Sequence, residues 1–330
     1  MRKPRFLGDP ADPCSHYHCF SKVVDGDFKL QELERQTFVE VLRRYERFSQ
    51  VRVLTFCVLS NHFHLLLEVP RRPDVLPADS WLMETLREFY PASTFAQIQR
   101  RWIDISRDPE ALAAFKESYW RRMWDLSEFM KGVKQSFSVC YNRRLQRTGT
   151  LWEERFGSVL AESHGPTLAV LANYIDVNPI RAGLVADPKD YQWSGYAEAL
   201  AGQSGAAEAL LKTLPPEHRN LEAYRQRLYA AGVQEPPSPS HPEGRVGFRP
   251  EQIAEVWKAG GRLTLEQLVL CRVRYFIAGA VLGSKAFVDR VFRRCRERFG
   301  PRRTSGARPL RRVGSGQLYC LRNLRVRPIG

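Results

Sequence analysis

The chain has no apolar run near the roughly 18 residues a membrane span requires, and its longest candidate, residues 276–283, is far too short. Its opening, Met1-Arg2-Lys3 followed by Pro, Asp and Cys, offers no apolar stretch of the signal-peptide kind, so a cytoplasmic location is expected. None of the seven cysteines (Cys14, Cys19, Cys57, Cys140, Cys271, Cys295, Cys320) stands in a Cys-x-x-Cys pair. Neither a zinc knuckle nor a disulfide framework is signalled, and reduced thiols are the simplest reading. Also missing are a Gly-rich phosphate loop, a G-x-S-x-G elbow, an Asp-rich metal cluster and any internal repeat.

What is present is a soluble globular composition, with 43% hydrophobic and 26% charged residues over 330 positions. That length suggests about two domains and ample chain for a core. The formal net charge of +15 is unevenly placed. From Arg245 onward there are 20 Lys and Arg against 5 Asp and Glu, while the preceding residues balance at 31 of each. A neutral body with a concentrated basic tail is the footprint of a polyanion-binding appendage, with nucleic acid as the expected partner.

Pro236, Pro237, Pro239, Pro242 and Pro250 break any regular ladder, so residues 201–250 read as a helical segment and Pro-rich linker. Before it, residues 16–24, 51–59, 62–69 and 156–162 have strand character, and only Ser60-Asn61 separates the middle two, as in a hairpin. Helical spacing marks residues 28–48, 81–89, 109–124 and 126–144. In the last of these Leu126, Phe129, Met130, Val133, Phe137, Cys140 and Tyr141 share a face. Another helix is expected from Thr167 to Asn178, stopped by Pro179. This order predicts an α+β ferredoxin-like sandwich, an antiparallel sheet with helices on one face. After the linker, residues 264–281 and 284–299 read as two helices, with a capping box at Thr264 and Gln267 and an N-cap at Ser284. The expectation there is a small all-α basic domain, helix-turn-helix-like, over residues 251–330. Its second helix would turn Arg290, Arg293 and Arg294 toward DNA.

His62-Phe63-His64 is the sharpest local feature. Strand alternation sends both imidazoles to one face, close enough to chelate one divalent ion, while Phe63, Leu65, Leu67 and Val69 line the other. His16-Tyr17-His18 repeats the spacing in the first strand, where structural or supporting roles are expected. For a nucleophile, tyrosine is the alternative to the missing motifs. Tyr141 falls on an apolar helix face, whereas Tyr174 and Asn178 stand four apart on one helix and point the same way. Between residues 126 and 156, Lys134, Arg143, Arg144, Arg147 and Arg155 interleave with aromatic residues, a pattern that grips single strands. Asn142, Arg144, Trp152 and Arg155 are the preferred contacts, although Trp152 and Phe156 also suit a helix–strand core junction.

Three segments together carry a resemblance. They are Leu59-Ser60-Asn61-His62-Phe63-His64-Leu65-Leu66-Leu67-Glu68; Tyr141-Asn142-Arg143-Arg144 with Gly149-Thr150-Leu151-Trp152-Glu153-Glu154-Arg155-Phe156; and residues 173–185, from Asn173-Tyr174-Ile175-Asp176 to Val185. In this order the chain resembles the REP-associated tyrosine transposases, single-tyrosine HUH (IS200-like) transposases, over roughly residues 14–200. The resemblance implies a catalytic domain at residues 1–200 that nicks single-stranded DNA near a hairpin. It implies His62 and His64 as metal ligands, Asn178 as a third ligand, Tyr174 as nucleophile, and Mg²⁺ or Mn²⁺ as cofactor. It further implies DNA recombination through a 5′-phosphotyrosine intermediate, REP-like hairpin repeats as partner, a nucleoid-associated location, and a monomer or homodimer. Residues 71–125 are a helical insertion relative to the compact family pattern. A non-catalytic DNA-binding protein that keeps the fold is the alternative.

Overall fold

The computed structural model describes residues 5–26, 29–203, 205–231, 279–309 and 318–322. Strand β1 (Cys14–Lys22) leads through α1 (Glu32–Ser49) to a hairpin of β2 (Arg52–Val58) and β3 (His62–Pro70). The insertion folds as α2 (Asp79–Phe89), α3 (Ala92–Ile105) and α4 (Pro109–Trp120). The chain then returns through α5 (Leu126–Arg144) and β4 (Gly157–Ala161) to α6 (Thr167–Arg181). Helices α7 (Gly195–Leu200), α8 (Ala206–Leu211) and α9 (Leu221–Ala231) follow. Beyond the linker lie β5 (Gly279–Gly283), α10 (Lys285–Arg294), β6 (Arg308–Pro309) and β7 (Tyr319–Arg322). These strands make one sheet in the order β2-β3-β1-β4-β5-β7-β6. Its first four strands are antiparallel neighbours in the ferredoxin-like order, so the α+β class holds.

Register assigns every side chain to a face. His16 opposes Glu68, Phe20 opposes His64 and Lys22 opposes His62 across β1 and β3, so all six share one face. Tyr17, Cys19, Phe63, Leu65 and Leu67 take the other. On that second face Phe63 meets Phe38 of α1, with ring centroids 4.7 Å apart, and Phe38 meets Phe137 of α5 at 5.2 Å. Burying such rings supplies roughly 1.5–3 kcal/mol each, which is why this face holds α1 and α5. Cys140, expected on the packed face of α5, is exposed instead.

Helices cover the histidine face as well, contrary to the expected one-sided sandwich. Helix α6 docks there through Thr55 of β2, whose hydroxyl donates to Asp176 Oδ1 at 2.7 Å. Tyr224 of α9 donates to the other oxygen of the same carboxylate. At Gly195 a Cβ would collide with Thr55, so only glycine lets α7 start this close to the sheet. The apolar run of α6, buried almost all round, left no stripe from which a single-sided helix would be read.

Helix α6 also passes through Pro179 rather than stopping before it. Proline has no N–H to give the Ile175 carbonyl, and the Asn178 amide donates to that oxygen at 3.3 Å in its place. The insertion, whose α3 the apolar spacing did not reveal, builds a separate small core. Leu82, Leu86, Phe89, Ile98 and Trp120 close around Phe48 at the end of α1.

The expected all-α tail is corrected among the described residues. Residues 279–281, expected to end a helix, instead belong to β5, which runs parallel to β4 and places Val281 and Leu282 in the core. Strand β7 pairs with β5 in turn. A short β-branched and aliphatic run beside glycines satisfies a sheet as well as a helix, and an open β4 edge decides for the sheet. The Ser284 cap is present, its hydroxyl accepting from the Phe287 N–H at 3.2 Å. Residues 264–278 of the first expected tail helix, its Thr264 capping box and the Pro-rich linker lie outside the described residues.

Candidate active site

Alternation along β3 and β1 brings three imidazoles onto one patch of sheet. His62 and His64 stack edge to face with centroids 5.0 Å apart, and His18 lies 5.1 Å from His64. His18 Nε2 sits 3.0 Å from His64 Nδ1, so one ring donates to the other. His62 Nδ1 donates to Asn61 Oδ1 at 2.6 Å. These contacts engage the Nδ1 atoms and leave Nε2 of His62 and of His64 as the atoms an ion would use.

The site is enclosed rather than open. His64 is 2% exposed and His18 fully buried. Burial, with Lys22 nearby, lowers His62 to about 4. Burial and the two neighbouring rings hold His64 well below its usual range. Both are therefore neutral near pH 7, the form in which imidazole ligates.

Tyr174 closes the patch from α6. Its ring meets His64 edge-on at 5.6 Å and His18 at 5.7 Å, and it is 8% exposed. Asn178 stands one turn further along, its amide nitrogen donating to the Tyr174 carbonyl at 2.8 Å. The amide group thus faces its own helix through nitrogen. Phe20, between β4 and the histidines, contacts both His18 and His64. A Cβ at Gly157 would overlap its ring, so glycine opposite Phe20 keeps that ring against the imidazoles.

Sequence reasoning placed His62, His64, Tyr174 and Asn178 correctly on one strand and one helix, and the fold brings the first three together. His18 has the supporting role expected of it, through its hydrogen bond to His64, and Lys22, which the sequence did not single out, stands opposite His62. The signal for both lay in antiparallel pairing: the end of β1 opposes the start of β3, which no local spacing announces.

The expected DNA contacts divide by burial. Trp152 is buried among Phe38, Phe63 and Phe137, and its Nε1 donates to Ser138 Oγ at 2.9 Å, so it is a core anchor with no ring face for a base. Lys134 is also buried and donates to Ser21 Oγ and the Glu154 carbonyl, at 2.7 and 2.8 Å, which ties α5 to β1. Asn142 and Arg147 brace the turn after α5: Asn142 donates to the Gly149 carbonyl, and Arg147 to Asn142 Oδ1. Arg144 pairs with Glu34, whereas Arg143 and Arg155 are exposed. On α10, Arg290 and Arg293 are exposed, and Arg294 pairs with Asp9 at 3.0 Å.

No family model matches this chain, and no curated protein does. Among solved structures, a REP-associated tyrosine transposase bound to a REP hairpin overlaps with a TM-score of 0.39 and 13% identity. The overlap covers 61% of this chain and 86% of that one. At that level the likeness is partial, and the site stands on its own geometry.

Proposed function

We propose that this chain is a metal-dependent single-stranded DNA endonuclease and strand transferase, a single-tyrosine transposase that acts at hairpin-forming repeats. One observation carries the reading: a phenol on a buried helix meets His64 edge-on, and His64 stacks in turn on His62, both imidazoles neutral and each with its Nδ1 held by a second partner. A stabilising core has no need of three histidines and a tyrosine stacked on one sheet face.

The donor set suits Mn²⁺ or Mg²⁺, held by Nε2 of His62 and His64 with Asn178 Oδ1 as the third ligand. When bound there, a divalent ion supplies charge neutralisation at the scissile phosphate. The chain's own residues do the rest. His18 fixes the ring of His64, and Asn61 that of His62. Lys22, opposite His62, offers a cation to a non-bridging phosphate oxygen. Tyr174 gives up its phenolic proton and its oxygen attacks phosphorus. The new O–P bond forms as the bond from phosphorus to the 3′ oxygen breaks, and that oxygen takes up a proton. The phosphodiester energy is retained in the 5′-phosphotyrosine, so a second strand end can reverse the step and be joined. The exposed Arg143 and Arg155, and Arg290 and Arg293 on α10, hold flanking phosphates.

The test is an adduct assay with full-length protein, Mn²⁺ and a single strand carrying a hairpin. A denaturation-resistant protein–DNA band that disappears in Tyr174→Phe is expected. Hairpin binding without any adduct in the unmodified protein would overturn the catalytic reading and leave a DNA-binding protein.

A further inference from the structure

We infer that Cys14, His16 and Glu68 form a second metal site, separate from the histidine pair, for a thiophilic divalent ion such as Zn²⁺. The three come together through register alone. His16 opposes Glu68 across β1 and β3, and Cys14 lies two residues back on the same face. One ligand atom from each, a thiol sulfur, an imidazole nitrogen and a carboxylate oxygen, lies within 4.8 Å of the other two. Glu68 stands four residues beyond His64 on β3, so the two sites are about 13 Å apart.

The surroundings are arranged as supporting partners of a metal centre are. His16 Nδ1 lies 3.1 Å from Ser163 Oγ, and in the tautomer in which it donates to that oxygen the lone pair sits on Nε2. That Nε2 is 3.4 Å from Glu68 Oε2. Arg52 takes the other oxygen, Oε1, at 2.9 Å, and leaves Oε2 turned toward His16. His16 and Glu68 thus each have one atom held by a neighbour and one within reach of the Cys14 sulfur. His16 is 4% exposed, whereas Cys14 lines a cleft shared with Gly8, Asp9, Asp12 and Ser163. An ion would enter on the Cys14 side, since the cleft reaches that thiol. Sulfur with imidazole and one carboxylate selects Zn²⁺ over the hard ions proposed for the histidine pair. The bound ion would clip the start of β1 to the end of β3 beside β4.

Sulfur also supplies the test. Metal-free, full-length protein is titrated with Co²⁺ and followed by absorption. A thiolate-to-cobalt charge-transfer band that saturates at a single equivalent and is bleached by Zn²⁺ is expected. Cys14→Ser abolishes that band, and His16→Gln, which keeps the thiol, weakens cobalt binding at least tenfold. His64→Ala leaves the band in place, because the histidine site contains no sulfur; its loss there with the fold intact would merge the two sites and overturn the inference. Thermal melts of each variant show that it is folded before titration. No sulfur band in the unmodified protein, or one that survives Cys14→Ser, refutes the site. Neither result bears on the adduct assay.

Discussion

Asp176 is the residue whose titration should be visible in the stability of the whole protein. It lies on α6 two residues after Tyr174, fully buried. Three donors face it: the hydroxyls of Thr55 on β2 and Tyr224 on α9, and the Tyr196 N–H on α7. Cys57 of β2 and the phenols of Tyr196 and Tyr224 are titratable neighbours, and burial holds all three protonated. Desolvation outweighs the three hydrogen bonds and raises Asp176 from its ordinary 3.8 to about 7. The folded state therefore keeps a proton that the unfolded chain has released, and stability falls as pH rises from about 4 to about 7. At about 1.36 kcal/mol per unit, the loss between pH 5 and 7 is roughly 3 kcal/mol. His62 and His64 act in the opposite sense. Their folded values lie below 6.5, so they make stability climb with pH up to that point. The unmodified protein shows only the net slope. Asp176→Asn isolates one component, because the amide fills the same space and the hydroxyls can rotate to accept from its nitrogen. We expect the variant to be about 1 kcal/mol less stable at pH 5, the scale of one impaired hydrogen bond. At pH 8 it should be more stable by roughly 2 kcal/mol, the pH-linked loss minus that cost. Urea denaturation of both proteins with chelator present measures the difference. A gap that stays constant from pH 5 to pH 8 would show that the carboxylate is ionised throughout and would refute the reasoning.

Other consequences are equally direct. Phe63→Ala, which empties a fully buried ring site between Phe38 and Trp152, should cost about 3–5 kcal/mol in denaturation experiments. Gly157→Val should push Phe20 off His18 and His64; adduct formation is expected to fall more than tenfold while the secondary-structure circular dichroism is retained. His64→Ala should abolish the adduct yet leave hairpin affinity within about twofold in a mobility-shift assay. With Arg290 and Arg293 both changed to Gln, the slope of log binding constant against log salt should become shallower by about 1.4–1.8, and an unchanged slope would remove α10 from the DNA interface.

Local chemistry made much of this fold legible. Alternation set the first four strands of the sheet, and α5 begins and ends where its apolar spacing predicts, at Leu126 and Arg144. His62 and His64 could be assigned to one face because a two-residue period leaves no choice. What the residues did not reveal were relations between distant segments. His18 and Lys22 reach the site only through the pairing of β1 with β3. Trp152 among arginines has the composition of a stacking platform, and only the aromatic cluster beneath it shows that the ring is already spent on the core. Cys14, His16 and Glu68 lie 54 residues apart at their extremes, with no spacing that advertises a ligand set.

The tail shows why charge and fold have to be read separately. Its basic excess is real, and on α10 it occupies the outer face, where Arg290 and Arg293 meet solvent. The inner face of the same helix buries Phe287, Val288, Val291 and Phe292. Strand β5 beneath it extends the sheet from β4, and Glu162 at the end of β4 accepts from both the backbone and the hydroxyl of Ser284 at the start of α10. Segments joined by a sheet ladder, a shared core and a capped helix do not behave as a detachable appendage. Removing residues 246–330 would expose the β4 edge and strip Val281, Leu282 and Leu321 from the core, so lost DNA binding would report lost structure. Replacing surface arginines leaves the sheet intact, and the salt dependence of binding then measures charge alone.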